Sequence, residues 1–394
     1  MRHDKILVDH AELARFIRDA LVANGARAED AAVVADGLVW ANLRGVDGHG
    51  VSRLPFYLRM IERGDIDVKT KPRLVHDRAA TFVVDGGRGF GPVGMMQAIA
   101  IAAERASGAG VCFGLLRDTT HTGAIGRYVQ WMAQRGCAAL IMGAGPAFVA
   151  YHGARVASLG TSPIAIAVPS KAHPILLDMA TSTISNGTIL QAKAIGAALP
   201  PGSVLTAQGE PTTDPERAEI LLPLGGAKGS GLGLMFEMLA SVLAAAPIQA
   251  RALGPEKRKS LSQNIAILAI NVATFRPLAD FAHDADALSA IIKSLPRQKG
   301  FDEIRLPGER AERTEVARRK SGIPIPTKLW EELAALAEAN AITLPPTLSR
   351  CAGRARRGRR AILPKGQNER RDLAQARVRT QSATAPPRRA ARRG

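Results

Sequence analysis

Hydrophobic periodicity predicts helices at the start of the chain. Residues 10–24 and 28–44 carry apolar side chains at the spacing of an amphipathic helix, and a glycine follows each run. A third helix is predicted over about 53–63, with Ser52 as its N-cap and Pro55 in its first turn.

Downstream of about residue 74, strand-like apolar runs alternate with helical ones. The strand-like runs are TFVVD, VCFGLL and CAALIMG, with two more at 163–168 and 174–178. The helical runs are MMQAIAIAAERA, GRYVQWMAQRG and LGLMFEMLASVLAAA. This alternation predicts an α/β or α+β domain, and periodicity alone does not distinguish a parallel sheet from an antiparallel one.

The net charge of +18 is concentrated at the C-terminus. Residues 346–394 hold 14 Arg and one Lys against two acidic residues, so they carry +13 of that charge. Because this segment lacks apolar periodicity, we predict a basic disordered tail over 345–394. Such a tail would bind nucleic-acid phosphates without sequence preference, since it has no aromatic residues for base stacking. Nucleic-acid binding through the tail is therefore a hypothesis of a different class.

Cysteine usage and hydropathy indicate a cytoplasmic protein. Cys112, Cys137 and Cys351 are odd in number and lack CxxC spacing, so we expect reduced thiols and no metal site. No apolar run reaches the roughly 18 to 20 residues that a membrane span needs. The charged N-terminus lacks the apolar segment of a signal peptide.

Two glycine clusters are candidate phosphate-binding loops. Gly89, Gly91 and Gly94 stand in GxGxxG order between a strand and a helix, yet Arg88 and Phe90 occupy positions where a pyrophosphate turn prefers small residues. A turn that only lets the helix pack on the sheet is the alternative. In GGAKGSGLGL, Lys228 at a helix start is either a phosphate ligand or a solvated lysine.

Seven sequence blocks point to a family. They are RGVDGHGVSRLPFY, DTTHTGAIGRYV, LGTSPIAIAVPS, PILLDMATS, GEPTTDP, LPLGGAKGSGLGLMFEML and LPGER. From about residue 5 to about residue 338, the chain resembles the malate/L-lactate dehydrogenases of the second type. This family also holds ureidoglycolate and diketogulonate dehydrogenases and cyclic-imine reductases.

The resemblance implies a fold, an assembly and a domain division. The expected fold is α/β with a mixed, largely antiparallel central sheet, a non-Rossmann cofactor domain and a helical N-terminal region. The expected assembly is a homodimer that uses NAD or NADP. We expect a helical region of the catalytic unit over 1–75, the cofactor-binding domain over 76–270, and a return to the catalytic unit over 271–344.

The resemblance also implies site residues. His49 matches the histidine of the family's SHG motif and His121 a second histidine, so the acid/base role is open between them. Arg53 lines the substrate site, and Thr161 and Asp178 belong to the polar network around it. The dinucleotide is expected to contact eight positions: Asp178, Met179, Ala180, Lys228, Gly229, Pro307, Gly308 and Glu309.

These residue types suit hydride transfer to a small 2-oxo acid such as a malate- or lactate-like substrate. Histidine supplies a proton to the developing alkoxide and accepts it in the reverse direction. Arginine offers a bidentate, permanently charged partner for a carboxylate. Reduction of a cyclic imino acid needs the same hydride and proton delivery and is the alternative within the family.

The sequence departs from the family pattern at several positions. Gly48 replaces the usual serine before the histidine, and Thr188 replaces a common lysine. The segment 246–264 is more charged than the expected glycine-rich loop, and the basic tail has no counterpart. A non-catalytic relative is a third hypothesis.

Overall fold

The computed structural model describes residues 5–246 and 262–348. Its helices are α1 (His10–Ala23), α2 (Ala28–Leu43), α3 (Leu54–Glu62), α4 (Gly91–Ala109), α5 (Gly126–Ala133), α6 (Asn186–Ile195), α7 (Ala227–Glu237), α8 (Leu278–Ser294), α9 (Glu309–Ser321) and α10 (Thr327–Ala339). Its strands are β1 (Lys5–Val8), β2 (Arg73–Asp77), β3 (Thr81–Asp85), β4 (Val111–Thr119), β5 (Cys137–Ala144), β6 (Val149–Ala150), β7 (Ala157–Leu159), β8 (Ile164–Val168), β9 (Ile175–Met179), β10 (Val204–Leu205), β11 (Pro211–Thr212), β12 (Ile220–Leu221), β13 (Gln263–Asn271) and β14 (Ile323–Pro326).

The predicted N-terminal helices are present, but the start of the third differs from the prediction. Asp9 caps α1 by accepting bonds from the amides of Ala11 and Glu12. Ser52, the predicted N-cap of α3, instead lies in a 3-10 turn, and its hydroxyl donates to the Asp47 carbonyl at 2.7 Å. The N-cap position of α3 is Arg53, which makes no side-chain cap bond. The Ser52 prediction is therefore wrong, because the turn uses its hydroxyl for another contact.

The central sheet has seven strands in the order β2-β3-β4-β13-β5-β8-β9. Only the β3–β4 pair is parallel, and the other five pairs are antiparallel. Apolar side chains from this sheet pack against α4 and α5 to form one core. The predicted fold class, a mixed and largely antiparallel sheet with a helical N-terminal region, is confirmed.

A second core joins the two ends of the described chain. Side chains of α1, α2 and α3 pack with those of β14 and α10. An antiparallel ribbon of β1 and β14 brings these distant segments together. The division into regions 1–75, 76–270 and 271–344 stays a prediction.

The glycines of the GxGxxG stretch are explained by close packing. A Cβ at Gly91 would lie 2.5 Å from the carbonyl oxygen of His121. The amide of Gly91 donates to the Thr120 hydroxyl at 3.0 Å, and that hydroxyl donates to the Gly89 carbonyl at 2.8 Å. The start of α4 is thus fixed against the segment that carries His121, as the packing interpretation expects.

The remaining predictions fall partly outside the described residues. Cys112 and Cys137 are buried free thiols, whereas Cys351 lies outside. Most of the segment 246–264 and the tail beyond residue 348 also lie outside. The predicted tail boundary at 345 is corrected, because Thr347 forms a bridge with Val8. Within the described part of the chain, no helix combines the length and hydropathy needed to cross a bilayer.

Candidate active site

His49 and Arg53 lie on a short connection between α2 and α3. Two 3-10 turns, Asp47–His49 and Val51–Arg53, form this connection, and Gly50 links them. We call residues 47–53 the catalytic turn, because they include His49 and Arg53, two of the predicted catalytic residues. Its two turns place the histidine and the arginine four residues apart at the start of α3.

The catalytic turn brings His49 against His121, which follows β4. The two imidazole rings stack with centroids 5.5 Å apart and an interplanar angle of 10°. Tyr57, in α3, places its hydroxyl 2.7 Å from Nδ1 of His121, and this tyrosine is almost fully buried. The fold therefore brings together both predicted histidines, 72 residues apart in the sequence.

Tyr57 is a site residue that the sequence reading missed. It stands four positions after Arg53, so both side chains lie on one face of the helix start. Burial raises the pKa of the Tyr57 phenol, so the hydroxyl stays protonated. A neutral tyrosine beside a ring nitrogen orients the imidazole and selects its tautomer. The i, i+4 spacing was the available signal.

Both histidines are neutral at neutral pH. Burial lowers the pKa of His49 to about 4, and the nearby Arg53 guanidinium adds to the effect. Burial, followed by Arg53 and His49, holds the pKa of His121 well below its usual range. Each neutral ring offers one N–H donor and one nitrogen acceptor.

Arg53 is the unpaired charge of this cluster. Its Nε donates to the Gly48 carbonyl at 2.6 Å. Among the residues that the structure describes, none forms an ion pair with Arg53 or hydrogen-bonds to its Nη atoms. Burial lowers the pKa of Arg53, and a guanidinium nevertheless keeps its charge in proteins. The free end of the fork is therefore suited to bind a carboxylate in bidentate fashion.

Asp178 lies at the end of β9 and faces the start of α5. The Gly126 amide donates to its Oδ2 at 2.9 Å, a favourable position for a carboxylate at a helix N-terminus. Dense surroundings raise the pKa of Asp178 to about 6, although this amide and Arg44 oppose the rise. The side chain keeps solvent contact in spite of those neighbours.

Two of the predicted dinucleotide positions pack along β9 and the segment that follows it. Gly229, in the first turn of α7, packs so closely that a Cβ would lie 2.6 Å from the carbonyl oxygen of Thr181, just after β9. At Gly308, a Cβ would lie 3.0 Å from the carbonyl oxygen of Leu176, near the start of β9. The starts of α7 and α9, far apart in sequence, thus both contact the β9 segment that carries Asp178.

Thr161, Lys228 and Glu309 have distinct surroundings in this region. The Thr161 carbonyl accepts bonds from the amide and hydroxyl of Thr181 at 2.9 and 3.1 Å. Glu309 pairs with Lys293. Lys228 is exposed at the start of α7 and makes no ion pair with any described residue. Its free ammonium and the helix N-terminus suit a phosphate.

Two of the departures from the family pattern lie next to each other. A Cβ at Gly48 would meet only the Cα of Gly187, at 3.8 Å, which is ordinary van der Waals contact. Thr188 follows Gly187 and bonds through its amide to the Ser185 hydroxyl at 3.1 Å. Gly48 is therefore not required sterically, and a serine would fit there.

No metal centre accompanies these residues in 5–246 and 262–348. Within those ranges, no group of three or more His, Cys, Asp or Glu side chains is placed to hold a metal ion.

Comparison with known proteins assigns the chain to a family of oxidoreductases. Residues 8–334 match the sequence model of the malate/L-lactate dehydrogenase family. The chain belongs to this family and is an oxidoreductase that acts on CH–OH groups. The predicted resemblance is confirmed.

Similar proteins act on related small acids. An L-sulfolactate dehydrogenase from Methanocaldococcus jannaschii is 35% identical over 325 residues, covering 81% of this chain and 93% of the relative. A delta(1)-pyrroline-2-carboxylate reductase from Ancylobacter novellus is 31% identical over 338 residues, covering 83% of this chain and 96% of the relative. A solved malate dehydrogenase structure from Entamoeba histolytica matches with a TM-score of 0.82 at 30% identity, covering 87% of this chain and 100% of that chain.

Proposed function

We propose that the chain transfers hydride between NAD or NADP and a small 2-hydroxy or 2-oxo acid of the malate or lactate kind. The observation that carries the proposal is the unpaired Arg53 fork beside two neutral histidines. A partly buried guanidinium without a protein carboxylate is suited to an anionic ligand. A 2-hydroxy acid supplies that carboxylate next to the carbon that reacts.

The histidine cluster favours proton acceptance in the oxidation direction. A neutral imidazole accepts the substrate hydroxyl proton while hydride leaves the neighbouring carbon. In the reverse direction, a substrate carboxylate bound near the rings raises their pKa and supports proton donation. His49 and His121 are both candidates, since each ring has an acceptor nitrogen.

The nicotinamide supplies the redox step, and the chain supplies placement and electrostatics. Asp178, Met179 and Ala180 would contact the dinucleotide at the end of β9, together with residues 228–229 and 307–309. Lys228 has the free charge for a phosphate. Thr161 would support the substrate side through its bonds to Thr181.

A second candidate is reduction of a cyclic imino acid. The pyrroline-carboxylate reductase relative favours it. Such a substrate also carries a carboxylate that Arg53 would hold, and the imine carbon accepts the hydride while the ring nitrogen takes the proton.

The proposed assembly is a homodimer. On α7 and the π-helical turn after it, an exposed apolar stripe supports it, formed by Leu232, Met235, Leu239 and Val242. We further propose a cytoplasmic location and the domain division given above.

The basic tail has an alternative role in the proposal, which is non-specific binding to nucleic acid. Removal of residues 349–394 should leave dehydrogenase turnover intact and abolish retention on DNA at low salt.

The decisive test pairs an acid with its ester. Purified full-length protein would be assayed for NADH and NADPH oxidation with pyruvate, oxaloacetate, a cyclic imino acid, and methyl pyruvate. We expect Arg53→Gln to lower kcat/KM for the favoured acid roughly a hundredfold, as loss of a charged hydrogen-bonded pair costs about 3 kcal/mol. The ester, which has no carboxylate charge, should be affected far less. Equal losses for acid and ester would contradict the role of Arg53, and no turnover of any 2-oxo acid or imine would contradict the proposed function.

A further inference from the structure

The catalytic turn is held by few bonds of its own. Its internal backbone bonds are of the 3-10 type, from the amides of Gly50 and Arg53 to the carbonyls of Asp47 and Gly50. Two side-chain bonds also lie within it, from the Ser52 hydroxyl to the Asp47 carbonyl and from Arg53 Nε to the Gly48 carbonyl. Short 3-10 segments have poorer bond geometry than α-helices and are seldom rigid alone. The position of the whole turn relative to α2 therefore depends on contacts from outside residues 47–53.

Asn42, at the end of α2, supplies the first of these contacts. Its Oδ1 accepts from the Val51 amide at 2.7 Å, and its Nδ2 donates to Oδ1 of Asp47 at 2.8 Å. Asn42 is buried, and a Cβ at Gly50 would overlap its amide group. The position needs a side chain that accepts at one atom and donates at the other, which an amide does.

Arg318, near the end of α9, supplies the second. Its Nη1 and Nη2 atoms bind Oδ1 and Oδ2 of Asp47 at 2.6 and 3.0 Å, and Nη1 also donates to the Asn42 carbonyl. The Arg318 side chain is 15% exposed and that of Asp47 is 48% exposed, so water reaches the carboxylate more freely than the guanidinium. One guanidinium thus joins the end of α2 to the start of the catalytic turn.

The helix that carries Arg318 reaches the other half of the site. The first turn of α9 follows Gly308, which packs against the backbone of Leu176 in β9. A second bond, from Arg44 to Glu315 at 3.1 Å, ties the middle of α9 to the end of α2. The helix therefore spans from β9, the strand that bears Asp178, to the turn that bears His49.

We propose that Arg318 is a positioning residue for the reaction: through Asp47 and Asn42 it fixes the catalytic turn, and with it the approach of His49 and Arg53 to the substrate. The activity readout of this proposal rests on the proposed function. The residue touches no predicted ligand position, so it acts through the turn.

The test compares Arg318→Gln with Arg319→Gln, the adjacent residue on α9. Arg319 binds Glu315 at 2.7 Å and makes no hydrogen bond or ion pair with the catalytic turn, which makes it a matched control. We expect Arg318→Gln to lower kcat about 10- to 100-fold, as small displacements of reacting groups do, with an unchanged dissociation constant for the nicotinamide cofactor. Arg319→Gln should keep kcat within about twofold, and both variants should melt within a few degrees of each other.

A double variant tests whether the pair acts as one unit. Asp47→Asn should lower kcat to a similar extent, and adding it to Arg318→Gln should cost little more. Arg318→Lys, which restores the charge without the fork, should recover only part of the loss. Additive losses, or a kcat for Arg318→Gln equal to that of Arg319→Gln, would overturn the proposal.

Amide hydrogen exchange separates this proposal from the proposed function. Exchange at Val51, whose amide binds Asn42, should become about tenfold or more faster in Arg318→Gln and stay unchanged in Arg319→Gln. This measurement needs no substrate. If the wild-type protein turned over no acid or imine, faster exchange in Arg318→Gln would still support the positioning of the catalytic turn by Arg318. Unchanged exchange would refute it.

Discussion

The catalytic turn and the β9 segment are held in place by different kinds of contact. Polar side chains hold the turn, and one of them, Arg53, has a free guanidinium end among the described residues. Close backbone contacts hold β9 and the residues after it: a Cβ at Gly229 of α7 would lie 2.6 Å from the Thr181 oxygen, and one at Gly308 would lie 3.0 Å from the Leu176 oxygen. The unsatisfied charge of Arg53 is where we propose that a ligand binds, whereas a glycine without room for a Cβ, such as Gly229, shows where two backbone segments pack closely.

The largest expected effect is on stability and concerns Gly229, which packs closely against the backbone after β9. Gly229→Ala places a methyl group 2.6 Å from the Leu224 and Thr181 backbone oxygens, so we expect about 3 kcal/mol or more of destabilisation. Gly231, on the same helix, has nothing within 4 Å of a built Cβ. Gly231→Ala should therefore be neutral or stabilising by up to about 1 kcal/mol, owing to the helix propensity of alanine. Urea unfolding of both variants checks this, and equal stabilities would refute the packing argument.

The next effect concerns Tyr57, whose hydroxyl contacts the His121 ring. Tyr57→Phe removes the hydroxyl next to Nδ1 of His121 and should lower kcat about tenfold, together with about 1 to 3 kcal/mol of stability. Tyr128→Phe is the control, because Tyr128 is also buried but donates to the Thr122 carbonyl at 2.6 Å. The control should lose stability without changing the His121 ring signals in ¹⁵N NMR. A tautomer of His121 that is the same in Tyr57→Phe and wild type would contradict the orienting role.

The pH dependence of stability tests the burial of His49 in the catalytic turn. The unfolded chain protonates His49 near pH 6.5, whereas the folded protein holds it neutral down to about pH 4. Between these values the unfolded state binds the extra proton, so stability falls as pH falls, by up to about 1.4 kcal/mol per pH unit for each such histidine. His49→Asn should flatten this slope relative to the wild-type protein. An unchanged slope in this variant would contradict the burial argument.

The smallest effect is expected at Gly48. Gly48→Ser should change the unfolding free energy by less than about 0.5 kcal/mol, because its Cβ meets only Gly187 at an ordinary distance. A marked destabilisation would show that the turn tolerates no side chain there. The catalytic turn is thus expected to accept a side chain at Gly48, although not at Gly50, whereas Gly229 beside the β9 segment does not accept one.

Local patterns predicted most of the elements but not the contacts between them. Helix α1 ends within a residue of its predicted position, since its apolar period is set by neighbouring residues. The antiparallel order of the sheet came from the family resemblance, because strand-like runs of this kind read alike in both arrangements. His49 and Arg53 were found through the GHGVSR block. Arg318 was not, because its partner Asp47 is 271 residues away in the chain.

The β1–β14 ribbon has a consequence for the order in which the protein is made. Its first strand ends at Val8 and its second begins at Ile323. Strand β1 therefore has no β14 to pair with until nearly all of the described chain has been synthesised. Arg318 arrives just before that strand. Helices α1 to α3 therefore emerge from the ribosome long before β14 and α10, which complete their core, have been synthesised. We expect nascent chains halted before residue 318 to lack a settled catalytic turn, so the capacity for chemistry is acquired in the last steps of synthesis.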